Sequence, residues 1–212
     1  MNYAGDVAAL LRKDLLLELR AKETLPAMAI FVLAALTVFH FALPSGSSDL
    51  AADGLLWIAI LFTALLGLSR AFVAEREQGV LDGLVMSPCD RSAIWLAKSL
   101  SALTFLVLVE AIALPAFSVF FAPVSLTTVA AVALADVGLC TVGTLLAAMA
   151  VASRTRELLL PLLFLPLALP IVVGGVGASV TANGGRYLGF LLVYDLVFAI
   201  ICWASFEYVV AE

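Results

Sequence analysis

The chain has 212 residues, of which 64% are hydrophobic and 13% charged, with a mean hydropathy of +1.17; an ordinary soluble domain holds about 45–50% apolar and about 25% charged residues. This balance excludes a water-soluble enzyme or binding module and leaves no room for a second, aqueous domain. At about 20 apolar residues per helical crossing, the apolar content suffices for about six membrane spans. The formal net charge of -5 says little, because the placement of Lys and Arg orients a membrane protein while Asp and Glu hardly matter.

At the amino terminus, Val7, Leu11, Leu15 and Leu19 recur at i, i+4. They predict an interfacial helix over residues 1–24, with Asp14, Glu18 and Arg20 on its other sides, turning into the bilayer near Pro26. The charged lead of Arg12, Lys13, Asp14, Glu18, Arg20, Lys22 and Glu23 is longer than the n-region of a cleavable signal, so the first span is expected to stay in the mature protein. Apolar runs at 25–43, 54–68, 93–122, 127–151, 158–173 and 187–210 predict six transmembrane helices in one domain, residues 1–212. The second can begin near Leu50, the third is long enough to tilt or break at Pro115, and the fifth should be distorted by Pro161, Pro166 and Pro170. The glycines that follow, Gly174, Gly175, Gly177, Gly184 and Gly185, read as an outer loop or re-entrant region.

With the amino terminus placed inside, the inner segments hold ten basic residues and the outer ones only Arg186. The positive-inside rule then puts both termini in the cytoplasm. Among the polar joints, residues 70–92 form the longest, followed by the start of the third span: RAFVAEREQGVLDGLVMSPCDRSAIWLAK over 70–98 mixes charges with an apolar face. Gly79 and Gly83 permit a bend, Ser87 and Pro88 end the helical piece, and Asp90 with Ser92 offers capping oxygens for the next helix. A short amphipathic element between two spans is suited to dock in a groove of a soluble partner and transmit a rigid-body push, though an ordinary charged loop has the same composition.

Few residues carry recognisable chemistry. No G-x-x-x-x-G-K-[ST] loop occurs, so ATP phosphates would have to be handled by another subunit. Cys89, Cys140 and Cys202 lack C-x-x-C spacing and read as neither disulfide framework nor metal site. His40 is the sole histidine and reads as an interfacial residue beside Phe39 and Phe41, while Met28, Met86 and Met149 read as packing. Nothing in the residues points to a nucleic-acid partner. Glu110 and Asp136 fall deep in the third and fourth spans, where a charge costs roughly 2.5–3.5 kcal/mol on insertion scales. Lys98 lies twelve positions from Glu110, about 18 Å along a helix. The two acids either line a permease interface or contact a partner helix, or else are satisfied by internal hydrogen bonds. Asp195 and Glu207 are placed nearer the ends of the last span. Ala131 with Ala135, and Gly143 with Ala147, make small-xxx-small pairs in the fourth span, compatible with internal packing or with a second copy.

The pattern Glu75-Arg76-Glu77, Gly79, Leu81, Leu84, Ser87-Pro88, Ile94 and Lys98 resembles the cytoplasmic element that links the second and third spans of type 2 ABC transporter permeases. Within that superfamily the chain is similar to the haem exporter protein B family, CcmB. The likeness rests on RKDLLLELRAKETL, Gly54-Leu55-Leu56-Trp57 leading to Leu65-Leu66-Gly67-Leu68, residues 70–98, and LLLPLLFLPLALPIVVGGV over 158–176. It implies an all-α, six-span permease of type 2 ABC fold in the bacterial inner membrane. Its partners would be a cytoplasmic ABC ATPase subunit, a haem-handling membrane subunit with a haem chaperone, and the lipid bilayer, with a second permease copy as a further candidate. Such a chain would bind no cofactor and catalyse nothing itself; haem would be the cargo of the complex and ATP the partner's substrate. Glu75, Glu77, Gly79, Leu81, Asp82, Ser87 and Pro88 are then the expected ATPase-facing positions, and release of a haem-loaded chaperone is favoured over bulk haem export. A type 2 permease for a drug, lipid or polysaccharide would use the same coupling segment. A membrane enzyme with Glu110 and Asp136 as acid and base, and a purely structural anchor, are the further alternatives, the enzyme disfavoured by the absence of H-E-x-x-H or G-x-S-x-G.

Overall fold

The computed structural model describes residues 3–43, 49–73, 90–152, 156–181 and 183–209. These form seven helices: α1 (Tyr3–Ala21), α2 (Thr24–Ala42), α3 (Asp49–Ser69), α4 (Arg91–Phe120), α5 (Leu126–Ala152), α6 (Arg156–Val180) and α7 (Gly185–Val209). All but α1 are long and apolar enough to cross a membrane, and no strand occurs among the described residues. The chain is an all-α, multi-pass membrane protein.

The bundle is organised around α5. Two thirds (67%) of its spanning window is buried inside the protein, against 17% for α2 and 22% for α7, and its broadest contacts are with α6 and α7. Small residues make this close packing possible. Ala131 and Ala135 are fully enclosed, Ala147 is nearly so, and a Cβ at Gly143 would run into the side chain of Leu68 on α3. Both small-xxx-small pairs are therefore spent on internal packing, leaving neither for a second copy.

The fifth span is longer than the expected 158–173. It continues as one helix to Val180, through Pro161, Pro166 and Pro170, so Gly174, Gly175 and Gly177 are helical rather than part of a loop. Each sits where a large ring or side chain from a neighbour needs the space of a Cβ: Trp57 of α3 lies over Gly175, Tyr187 of α7 over Gly177, and Leu191 over Gly174. The indole nitrogen of Trp57 donates to Ser179 Oγ at 3.1 Å, which fixes the ring against that glycine. Tyr194 of α7 donates its hydroxyl to Leu167 O at 2.7 Å, one residue past the carbonyl that Pro170 deprives of its helical donor.

α4 runs unbroken through Pro115 over 30 residues, about 45 Å of helix, whereas a bilayer's hydrocarbon core is about 30 Å thick. Its first turns must project beyond the apolar core. On that projection α1 rests: Val7 packs with Ala93 and Ala97, flanked by Leu10, Leu96 and Leu100. Contacts advance in the same direction along both helices, from Tyr3 beside Ser92 to Asp14 beside Lys98 and Ser101.

The face that α1 presents differs from the expected Val7, Leu11, Leu15, Leu19 stripe. Val7, Asp14 and Glu18 are its buried residues, while Leu16, Leu17 and Leu19 point outward. Of the expected stripe Val7 is buried, Leu11 and Leu15 are half-buried and Leu19 is exposed, while the acids Asp14 and Glu18 turn toward the bundle.

Candidate functional site

Two groups of polar residues stand out in this apolar scaffold. One lies where α1, α3 and α4 meet, flanking residues 74–89; the other lies at mid-depth in the bundle. The positions Glu75, Glu77, Gly79, Leu81, Asp82, Ser87 and Pro88 fall outside the described residues, so the geometry here is that of the anchors on either side of them.

At the first anchor, the Lys98 side chain is turned inward and is only 6% exposed. Its Nζ lies 3.1 Å from Asp14 Oδ2 on α1 and donates at 2.8 Å to the Ala71 carbonyl just past the end of α3. The Phe72 ring centroid is 5.2 Å from the same nitrogen, close enough for a cation–π contact. Ser101, one turn on from Lys98, donates to Asp14 Oδ2 at 3.2 Å, and Lys13 adds a second cation 3.1 Å from Asp14 Oδ1. One ammonium thus ties together three elements that are distant in sequence.

Glu18 serves the same joint differently. α2 begins without a side-chain cap from its own N-cap residue, Glu23; Glu18 Oε1 instead accepts from the Leu25 backbone N–H at 2.8 Å, satisfying one of the free donors of a helix N-terminus. The turn between the helices is closed by Lys22, whose φ of 53° is left-handed and whose N–H donates to Glu18 O at 2.7 Å. Pro26 then occupies the first turn of α2, where its missing donor costs nothing. Arg70, near the end of α3, reaches Glu23 Oε2 at 3.5 Å across the surface.

The second anchor follows residue 89. Asp90 caps α4 by accepting from the Ser92 N–H at 2.9 Å, as the Asp90 and Ser92 pairing predicts, and Ser92 Oγ donates to Asp90 Oδ1 at 2.8 Å. With that proton committed to Asp90, Ser92 Oγ accepts from the Tyr3 hydroxyl at 3.2 Å. The described residues that flank 74–89 are consequently tied to α1: Ala71 through Lys98 and Asp14, Ser92 through Tyr3. Beside the entry lies a cavity of about 430 Å³, bordered by Asp14, Glu18, Arg70, Lys98 and Phe105. A second, more apolar cavity of about 640 Å³ opens on the other side of Arg70, between Phe31, Phe62, Ala147 and Pro161.

Sequence reading placed the coupling positions in 74–89 but missed Asp14, Glu18 and Lys98 as its supports. A signal was present in the lysine seven residues inside a long apolar helix and in two acids spaced i, i+4 on an otherwise leucine-rich one.

The mid-depth group consists of carboxyls. Glu110 lies ten residues before the end of α4, Asp136 ten after the start of α5, and Asp195 ten after the start of α7, so the three occupy one layer. Glu110 is 5% exposed, Asp136 1% and Asp195 7%; Asp195, expected nearer a membrane surface, is instead central and buried. Glu110 and Asp136 are neighbours on the packed helices α4 and α5, each ten residues from the paired helix ends. Asp195 Oδ1 rests against Gly138 on another side of α5. No donor among the described residues bonds Glu110 Oε1 or any oxygen of Asp136 and Asp195.

The described residues contain no cluster of three or more His, Cys, Asp or Glu placed to hold a metal ion. His40 is exposed at the end of α2, its ring centroid 5.3–5.6 Å from those of Phe41, Phe120 and Phe121; the aromatic setting extends to α4 rather than to Phe39. Cys140 and Cys202 are buried and free.

Comparison with known proteins accounts for the length of the chain. Its relatives include three proteins named heme exporter protein B. The one from Rhodobacter capsulatus is 34% identical over 85% of this chain and 84% of its own length, and that from Paracoccus denitrificans 32% over 80% of each. The third, from Bradyrhizobium diazoefficiens, is 29% identical over 94% of this chain and 90% of its own. Residues 6–207 match the family described as CcmB protein, from the packing face of α1 to the last turn of α7. The chain belongs to the CcmB family of membrane permeases.

Proposed function

We propose that this chain is the permease subunit of an ABC transporter for cytochrome c maturation. It couples ATP hydrolysis by a separate cytoplasmic subunit to haem delivery, or to release of a haem-loaded chaperone outside the inner membrane. Relatives named heme exporter protein B supply the cargo class. The observation that supports the coupling role is the anchoring to α1 of the residues on either side of 74–89, through Lys98 with Asp14 and through Ser92 with Tyr3. A push on such a segment from the ATPase reaches α1, α3 and α4 together as a rigid-body displacement instead of being lost in the joints.

In this reading residues 74–89 and both termini are cytoplasmic, the ATPase contacts Glu75, Glu77, Gly79, Leu81, Asp82, Ser87 and Pro88, and a haem-handling membrane subunit completes the complex. The charges set register and the apolar residues fill a groove of the ATPase. ATP chemistry stays with the partner, since this chain carries no phosphate-cradling loop.

The test is haem staining of membrane c-type cytochromes in a strain lacking the chain, complemented with wild type or with Glu75→Lys. Staining should be lost, restored by wild type, and not restored by the variant at normal membrane level. Unchanged staining in the deletion, with no second copy of the gene, would retire the haem assignment in favour of a type 2 exporter of another substrate.

A further inference from the structure

The three mid-depth carboxyls lie apart from the Lys98 joint and are buried within an apolar bundle. Antiparallel α4 and α5 bring Glu110 and Asp136 to the same level, about 15 Å from the paired helix ends, where both side chains are at most 5% exposed. Of the seven buried polar side-chain atoms left without a hydrogen bond among the described residues, three belong to this pair. A polar atom buried without a partner is costly, and more so if it is charged.

Among the described residues no cation stands at this level. On α4 the nearest basic side chain is Lys98, twelve residues away and engaged with Asp14 and Ala71. On α5 the neighbouring titratable group is Cys140, which is neutral as a thiol. From α7 come Asp195, Tyr194 and Cys202; from α2 only His40, at its far end; from α1 only groups at the Lys98 joint. α6 has no titratable residue between Leu158 and Val180, and on α3 the acid nearest the layer is Asp53, in its first turns. Two adjacent carboxylates cannot both be ionised in such a place. Two neutral acids would leave acceptor oxygens unused, whereas one acid donating to one carboxylate makes a short, charge-assisted hydrogen bond between the helices.

We propose that Glu110 and Asp136 form a membrane-buried site that binds a single proton between α4 and α5. The proton acts as the ligand that holds the two helices together at mid-depth; its loss places like charges face to face and drives α4 away from α5. This is independent of the identity of the cargo.

Infrared difference spectroscopy on the full chain in its membrane complex tests the assignment, using the carbonyl stretch of protonated carboxyls and its shift in D2O. Wild type minus E110Q/D136N at neutral pH should show the loss of one acid equivalent per chain. Loss of none, or of two, overturns the proposal. D195N leaves the pair intact and guards against failure of the double variant to fold: it retains Glu110 and Asp136 as its mid-depth acids, so one acid equivalent must survive in it. Survival of none or of two overturns the proposal equally.

Discussion

The Nζ of Lys98 lies 3.1 Å from the carboxylate of Asp14, with both side chains less than one tenth exposed. A buried ion pair is held in place as much by the cost of leaving either partner alone as by attraction between them. Lys98→Met strands Asp14 beside Lys13 and should lower unfolding free energy by about 3 kcal/mol, near the low end for a broken buried pair because one cation remains. Asp14→Asn with Lys98→Met removes both charges and should recover more than half of that loss. Thermal unfolding of the detergent-solubilised chain measures both; equal destabilisation by the single and double variants would mean that charge pairing does not hold α1 to α4.

Because the pair also grips the Ala71 carbonyl, it bears on output as well as on stability. Asp14→Asn keeps Lys98 on Ala71 but loosens α1, so cytochrome staining should fall while the chain stays in the membrane at wild-type level. Full output from an Asp14→Asn strain would place force transmission in α3 and α4 alone.

The cap that Glu18 provides to α2 has its own signature. Glu18→Ala frees the Leu25 N–H and should cost about 1 kcal/mol, the usual value for a lost N-cap; Glu18→Gln keeps a carbonyl acceptor and should cost less. Hydrogen exchange followed by mass spectrometry should show faster exchange at the start of α2 in the alanine variant, with α5 unchanged. A uniform increase along the chain would indicate global loosening instead of a missing cap.

Periodicity and length located the six spans to within a few residues except at one place, the carboxyl-terminal end of α6. There Gly174, Gly175 and Gly177 have the composition of a loop, and only the rings of Trp57 and Tyr187, remote in sequence, reveal that they are cuts in a helix surface. The inward turn of Asp14 and Glu18 was hidden for a related reason: an amphipathic pattern gives two faces but does not say which one meets lipid. Glu110 and Asp136 stood out as singular acids in apolar runs, while their pairing required the antiparallel register of α4 and α5. The matching depth of Asp195 was obscured by reading its span from Tyr187, two residues late.

Lys22 closes the α1 to α2 turn with φ at 53°, a conformation that costs a side-chain-bearing residue roughly 1 kcal/mol and glycine almost nothing. Lys22→Gly should raise the unfolding midpoint slightly without altering the Glu18 cap, as read by exchange at the start of α2. A lowered midpoint would show that the ammonium, rather than the backbone, stabilises this turn.

Two glycines make a matched test of how the bundle is packed. Gly175 faces Trp57, whose ring is 1% exposed and bonded to Ser179, so an added methyl must displace a large buried ring; overpacking of this kind costs typically 1–3 kcal/mol. Gly54 has nothing within 4 Å of where its Cβ would stand, and in a helix the exchange to alanine gains roughly 0.5–1 kcal/mol. Gly175→Ala should therefore lower the unfolding midpoint and shift Trp57 emission, while Gly54→Ala should leave emission unchanged and hold or raise the midpoint. Because α3 meets α6 through this contact, a neutral Gly175→Ala would require Trp57 to have another place to go, and the α3 and α6 packing would have to be redrawn.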